Sequence, residues 1–112
     1  MSPDTEPFES LVGEAFDPAG LIEYQADSIV SRTIIDADST TVTLFAAAAG
    51  QRISEHSAPH DALIHVLDGE AQITVNIKEH VVQGGQALVI PAGAPHALAT
   101  DEGFKMLLLM TR

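Results

Sequence analysis

Cysteine is absent from this chain of 112 residues. Disulfides, thiolate metal sites and cysteine nucleophiles are therefore excluded. Basic residues are scarce as well, because five Lys and Arg face 16 Asp and Glu, for a formal net charge of −11. Five scattered cations cannot form the basic stripe that binds phosphates, and a chain this acidic is repelled by an anionic membrane surface. Composition predicts neither nucleic acid nor membrane as a partner.

Long apolar runs are also missing. The longest, residues 44–49 and 106–110, are far too short to span a bilayer. The first twenty residues have neither the basic start nor the apolar stretch of a signal peptide. What the chain does have is an apolar fraction of 46% in 11.8 kDa, which is enough for one core in one domain. We expect a soluble protein of the cytoplasm.

Charge is distributed unevenly along the chain. Residues 1–40 carry nine acidic residues and one basic residue, a net of −8, whereas residues 41–112 carry seven and four, a net of −3. Residues 1–20 are predicted to form a short, loosely ordered acidic arm with one helical turn through 8–16, and residues 21–112 the folded domain.

Hydrophobic alternation predicts strands. In residues 71–77, four apolar side chains alternate with three polar ones, which is the period of a strand with one buried face. Turn signals, among them Asp68-Gly69 and Gly84-Gly85, separate further candidates. The other predicted strands are 27–36, 40–48, 52–56, 62–67, 80–82, 87–90, 96–99 and 104–110. Many short strands with Gly and Pro turns predict an all-β sandwich or small barrel.

Two of these strands are apolar on both faces, residues 62–67 and 104–110. One face can cover the barrel interior, and the other needs the N-terminal segment or a second subunit. Leu63 and Leu67 lie on the face opposite Ile64 and Val66. The pattern predicts a homodimer.

Two stretches that each begin with a glycine and contain histidines, residues 50–69 and 85–100, resemble the paired motifs of the cupin family. The matching positions are Gly50, His56, Gly69, Gly85, Pro91, Gly93 and His96, with Thr100 where the family has asparagine. The resemblance extends over residues 21–112 and is greatest to small, functionally uncharacterised single-domain bacterial cupins. It implies a double-stranded β-helix, the jelly-roll barrel.

The resemblance also implies a metal site, from which this chain departs. Metal-binding cupins use two histidines and a glutamate of the first motif with the histidine of the second. Here His56 and His96 match, but the second histidine position is Ala58 and the glutamate position is Ala62. Only two of four family ligands remain.

Two neighbours could compensate for the missing ligands. If the chain turns at Ala58-Pro59, His60 joins His56 and His96 in a three-imidazole site for Fe, Mn, Zn or Ni; otherwise it is a turn residue or part of the pocket wall. Asp61 is either a turn-capping carboxylate or a ligand.

The remaining motif residues have structural interpretations. His65 is expected on the outer face at a subunit contact, and His80 in a solvated hairpin. Pro91 and Gly93 are expected to shape the turn that delivers His96.

Two functions stay open at this point. The first is a metal-dependent protein that acts on or senses a small molecule, with or without catalysis. The second is a metal-free module that captures a small ligand in a mostly apolar barrel. The fold by itself names no reaction.

Overall fold

The computed structural model describes residues 6–112, and side chains from residue 9 onward. Helix α1 (Glu6–Leu11) and a 3-10 helix (Pro18–Leu21) precede the strands. Within the described residues the strands are β1 (Ile29–Asp36), β2 (Thr40–Ala47), β3 (Arg52–His56), β4 (Ala62–Val75), β5 (Lys78–Gln83), β6 (Ala87–Ile90), β7 (His96–Ala99) and β8 (Phe104–Thr111). The all-β prediction is confirmed.

The strands form two antiparallel sheets that share β4. Sheet A has the order β1-β2-β8-β4-β6, and sheet B has the order β3-β7-β4-β5. The first half of β4 pairs with β8 and β6, and its second half pairs with β5 and β7. One strand therefore joins the two walls of the barrel.

The turn predicted at Asp68-Gly69 is wrong, because residues 62–75 form one continuous strand. The pairing with β8 shifts by one residue between Val66 and Asp68, which is a β-bulge. Gly69 follows in a left-handed conformation (φ 76°), and a Cβ there would collide with the carbonyl of Gly103. The glycine marks a bend where the strand leaves sheet A for sheet B, and does not mark a chain reversal.

The alternation predicted through residue 77 also ends early. Asn76 and Ile77 both have positive φ (48° and 66°), and they connect β4 to β5 as a two-residue turn. The side chain of Ile77 is 95% exposed at the hairpin tip. Asn is favoured in this conformation but a β-branched residue is rare in it, so the sequence lacks the Asn-Gly pair that usually signals such a turn.

Between the sheets lies the larger apolar core. The inward residues of β4, namely Ala62, Ile64, Val66, Ala71 and Ile73, are all buried in it. Phe104 and Met106 of β8 pack against them. Alternate residues of β4 and β8 thus face the barrel interior, as predicted.

The N-terminal segment covers the outer face of sheet A. Ile22 is buried there with Leu44 of β2 in a second apolar cluster, and Leu11 and Leu21 pack at its edge. Arg32 Nη1 donates a hydrogen bond of 2.6 Å to the carbonyl of Leu21. Of the predicted arm, residues 1–5 lie outside the described residues; the helical turn expected at 8–16 is found as α1, which ends at Leu11.

No helix in residues 6–112 has the length and apolar content that crossing a membrane requires. The cytoplasmic location stays a prediction.

Candidate functional site

A cavity of about 300 Å³ opens between the two sheets. Aliphatic, aromatic and thioether side chains make up most of its wall, and three imidazoles supply its polar side chains. The lining residues from sheet B and its loops include Ile53, His56, Ala58, His60, His96 and Leu98. Those from sheet A include Phe45, Ala62, Ile64, Met106, Leu108 and Met110. None of the lining residues is a carboxylate.

His56 and His96 lie side by side in this wall. They end β3 and begin β7, and their Cα positions are directly paired across these two strands. Their ring centroids are 4.3 Å apart, with 58° between the ring planes. His56 is exposed and His96 is half-buried, so the pair lies at the open end of the cavity. The two histidines therefore lie in one wall of the cavity, on neighbouring strands of sheet B, and not on opposite walls of it.

Backbone carbonyls set the tautomer of both rings. His56 Nδ1 lies 2.9 Å from the carbonyl oxygen of Ser54, and His96 Nδ1 lies 2.9 Å from that of Ala94. A carbonyl only accepts hydrogen bonds, so each Nδ1 carries the proton and each neutral ring has its lone pair on Nε2. That lone pair can bind a metal, accept a hydrogen bond or take a proton from a bound molecule.

Ala58 and Ala62 also line the cavity. These are the positions at which the family resemblance implies a histidine and a glutamate. At each of them the wall presents a methyl group, so both positions enlarge the cavity and add no ligand to it. The donor set fits an ion that accepts imidazole ligands, and it offers no anionic oxygen to an ion that needs one.

His60 is part of the cavity wall, as one of its two predicted interpretations requires. Its distance from the other two rings decides whether it can share an ion with them. Among the side chains of residues 9–112, no three from His, Asp or Glu come close enough together to hold one metal ion. A three-imidazole site with His60 therefore stays a proposal that requires movement of the 57–61 loop.

Asp61 has a structural role at the mouth of the cavity, which we define as the loops 57–61 and 91–95. Its Oδ1 accepts a hydrogen bond of 2.8 Å from the Ala92 amide, and its carbonyl accepts one from the Thr111 amide. The Gly93 amide donates to the carbonyl of Ala58 at 2.8 Å, which ties the two loops together a second time. The interpretation of Asp61 as a turn-capping carboxylate is confirmed, and Gly93 (φ 81°) shapes the turn before His96.

Thr100 stands where the family motif has asparagine, and it is buried. Its Oγ1 donates to the Glu70 carbonyl at 2.8 Å and accepts from the Gly103 amide at 2.9 Å. These bonds attach the 100–103 turn to β4 near the bend at Gly69. Thr100 therefore supports the barrel and does not line its cavity.

The two other histidines lie away from the cavity lining. His65 is on the outer face of β4, where its direct neighbours are Leu107 and Ala87. His80 of β5 pairs with Ile73 and is half-buried, so it is less solvated than predicted. Sequence reasoning missed the wall from sheet A, especially Met110 and Phe45. Period-two alternation in β8 and β2 was the signal that could have identified it.

Comparison with known proteins agrees with this geometry. Residues 43–111 match the model of the Cupin domain family. A conserved Streptococcus pyogenes protein of unknown function has a similar structure, with a TM-score of 0.84, 36% identity, and coverage of 89% of this chain and 88% of that one. A cupin superfamily protein from Desulfitobacterium hafniense is 30% identical with a TM-score of 0.84, covering 88% of this chain and 91% of that one.

A cupin 2 conserved barrel domain protein from Leptotrichia buccalis is 38% identical with a TM-score of 0.81, covering 84% of this chain and 46% of that one. No curated protein matches this chain significantly. The family match covers more than half of the chain, and two barrels of similar length share its fold over 88–89% of it. The chain belongs to the cupin family, among small bacterial members of unknown function.

Proposed function

We propose that this cupin binds a small, mainly apolar molecule in its barrel, with the polar group of the molecule at His56 and His96. The observation that supports this function is the cavity of about 300 Å³, whose polar side chains are imidazoles at its open end. Ligand pockets in proteins combine apolar walls with a few polar groups, and this volume lies at the lower end of their range.

Volume limits the size of the ligand. The cavity corresponds to about ten water volumes at ~30 Å³ each. A body of one ring or one short aliphatic chain fits this space. Larger molecules would have to extend past His56 and His96 at the open end of the cavity.

Filling the cavity tests this function. The substitution Ala62→Leu places a larger side chain in the wall, while Ala87→Leu makes the same change at an exposed position of sheet A. We expect 2-phenylethanol, a neutral single-ring probe, to bind the unmodified protein and the Ala87→Leu variant in isothermal titration calorimetry. Binding to Ala62→Leu should be lost. Equal heats from all three proteins would place the probe outside the barrel and contradict the proposal.

A metal ion is the second candidate occupant, and the Nδ1–H bonds to Ser54 and Ala94 favour it. Such hydrogen bonds orient metal-binding histidines through the nitrogen that does not bind the metal. His56 and His96 would hold the ion, with His60 as a third ligand after a loop movement. A bound divalent ion supplies Lewis acidity at the open end of the cavity.

Elemental analysis of untagged protein tests the second candidate. After repletion with Fe, Mn, Zn and Ni, we expect metal in the unmodified protein and in His80→Ala. His56→Ala and His96→Ala should lose most of it, because each leaves a single imidazole of the pair. His60→Ala separates the two interpretations of His60: an intermediate loss indicates a third ligand. No metal in the repleted protein would eliminate this candidate.

Restoring the carboxylate is a further test of the same site. In Ala62→Glu an anionic oxygen faces the cavity from sheet A, so binding of a divalent ion should become tighter. Metal content equal to that of the unmodified protein would show that position 62 does not reach the ion.

We also propose that two copies pair through the outer face of sheet A. A row of directly paired apolar residues crosses five strands of this face: Ile35, Val42, Leu109, Leu63 and Val89. Ile35 and Val89 are 40% and 63% exposed. Val42 of this row and Leu67 also pack within their own chain against the outer cluster. A two-fold pairing would cover the row with itself.

Light scattering checks the pairing with two matched variants. The unmodified protein should have twice the monomer mass of 11.8 kDa. Val89→Glu places a charge in the row and should give the monomer, while Val81→Glu changes an equally apolar, 55% exposed residue of sheet B and should leave the dimer intact. A mass of 11.8 kDa for the unmodified protein at micromolar concentration would refute the dimer.

A further inference from the structure

The histidine pair of the cavity offers hydrogen-bond acceptors to a ligand and no donors. Because both Nδ1 atoms donate to backbone carbonyls, the two neutral rings present Nε2 acceptors and no donors. These two rings are adjacent, with centroids 4.3 Å apart. A single group that satisfies both acceptors has to bring at least two donor hydrogens. An ether, a ketone or a carboxylate brings none to the neutral rings.

The positive charges of the chain are mostly placed away from the cavity. Lys105 Nζ donates to the carbonyl of Ala19 at 2.8 Å, and Arg112 donates to the Ala37 carbonyl and contacts Asp36 at 3.2 Å. Arg32 is bonded to the N-terminal segment on the outer face. None of these three lines the cavity.

The remaining charges near the mouth are of both signs. Lys78 lies two strands from His96 on the same sheet face, because both residues pair directly with Val75. Glu55 precedes His56 in β3, and Asp61 lies in the mouth itself. With a net charge of −11, the whole chain attracts cations and repels anions.

The position of the histidine pair makes a charged group tolerable. His56 is exposed, so a cation bound there keeps part of its hydration while the apolar wall lies deeper between the sheets. Full burial of an unpaired charge would be strongly unfavourable. The cavity is therefore polar and wet at one end and apolar at the other.

We propose that the barrel selects small primary amines with an apolar body, an inference that rests on the proposed binding function. The ammonium group donates hydrogen bonds to Nε2 of His56 and Nε2 of His96. Its three donors exceed the two acceptors, which leaves one for water at the mouth. The apolar body lies in the cavity and contacts Ile64, Leu108 and Met110.

Three probes with one body and different head groups test this selectivity. 2-Phenylethylamine, 2-phenylethanol and phenylacetate are titrated into chelator-treated protein at about pH 8.5, where free imidazole is neutral and an alkylamine is protonated. Chelation ensures that no metal occupies Nε2. We expect the amine to bind about tenfold more tightly than the alcohol, because hydrogen bonds to a charged donor are stronger. Phenylacetate should bind most weakly.

Histidine variants test whether His56 and His96 cause the selectivity for amines. In His56→Ala and His96→Ala the preference for the amine over the alcohol should fall severalfold, with His80→Ala as the unchanged control. Circular dichroism confirms that each variant is folded. Tightest binding of phenylacetate, or equal binding of amine and alcohol, would overturn the amine selectivity and leave the binding function standing. Absence of binding by all three probes would refute both.

Discussion

The two faces of sheet A are both apolar, yet they are used differently. On the outer face, Leu44 is fully buried beneath Ile22 of the N-terminal segment. On the inner face, Leu108 and Met110 line an open cavity. Successive residues of the same strands therefore pack into a closed core on one face and line a binding site on the other. Apolar character alone does not distinguish packing from ligand binding; the element opposite each face does.

Matched truncations give the largest expected difference between these faces. Leu44→Ala removes side-chain atoms that are packed on all sides and should lower the free energy of unfolding by about 3 kcal/mol. Leu108→Ala extends an existing cavity and should cost about 1 kcal/mol, because fewer contacts are lost. Urea denaturation measures both. Equal losses would show that the inner wall is as tightly packed as the outer core.

The bend at Gly69 determines which sheet each half of β4 joins, and two glycines test it. Gly69→Ala forces a Cβ against the Gly103 carbonyl, whereas Gly85→Ala has a similar positive φ but open space around the added Cβ. We expect Gly85→Ala to cost about 1 kcal/mol and Gly69→Ala about 2 kcal/mol more. Thermal unfolding compares the two; equal shifts would mean that the bend tolerates a side chain.

A smaller effect is expected from the contacts that attach the N-terminal segment to the outer face. Tyr24 Oη donates to Asp68 Oδ2 at 2.5 Å, and Lys105 Nζ lies 5.1 Å from the centroid of the Tyr24 ring. Tyr24→Phe removes the hydrogen bond but keeps the ring, so it should cost about 1 kcal/mol at neutral pH. Chemical denaturation measures this difference, and no difference would show that the bond contributes nothing.

The same bond predicts a pH dependence. Burial, then the hydrogen bond to Asp68 and the charge of Asp68, raises the pKa of Tyr24 above its ordinary value. The folded state therefore favours the protonated phenol, and this stabilisation is present below about pH 10 and declines as the pH rises above it. Tyr24→Phe should lack this decline. An identical alkaline profile for both proteins would contradict the assignment.

Sequence patterns predicted most strands of the barrel and the histidine side of the site, but not its wall from sheet A. Alternation located the strands, and the family resemblance indicated His56 and His96 as pocket residues, but only the structure shows that they are neighbours. The errors fall where local signals have two meanings. Asp68-Gly69 is a common turn pair, but the bulge and the carbonyl of Gly103 make it a bend within a strand. Ile77 continues an alternating pattern that the Asn76-Ile77 turn interrupts.

By itself, the sequence determined the excluded chemistries, the all-β class and the loss of two family ligands at Ala58 and Ala62. The first two follow from residue type and spacing, and the third is what the family resemblance implies for these positions. Only the tertiary structure decided that Nε2 is the free nitrogen of both histidines, that Asp61 caps a loop, and that the two alanine positions open into a cavity. The physical reason is that tautomer, loop contacts and empty volume depend on atoms distant in the chain: the carbonyls beside each ring, the Ala92 amide, and the side chains of sheet A.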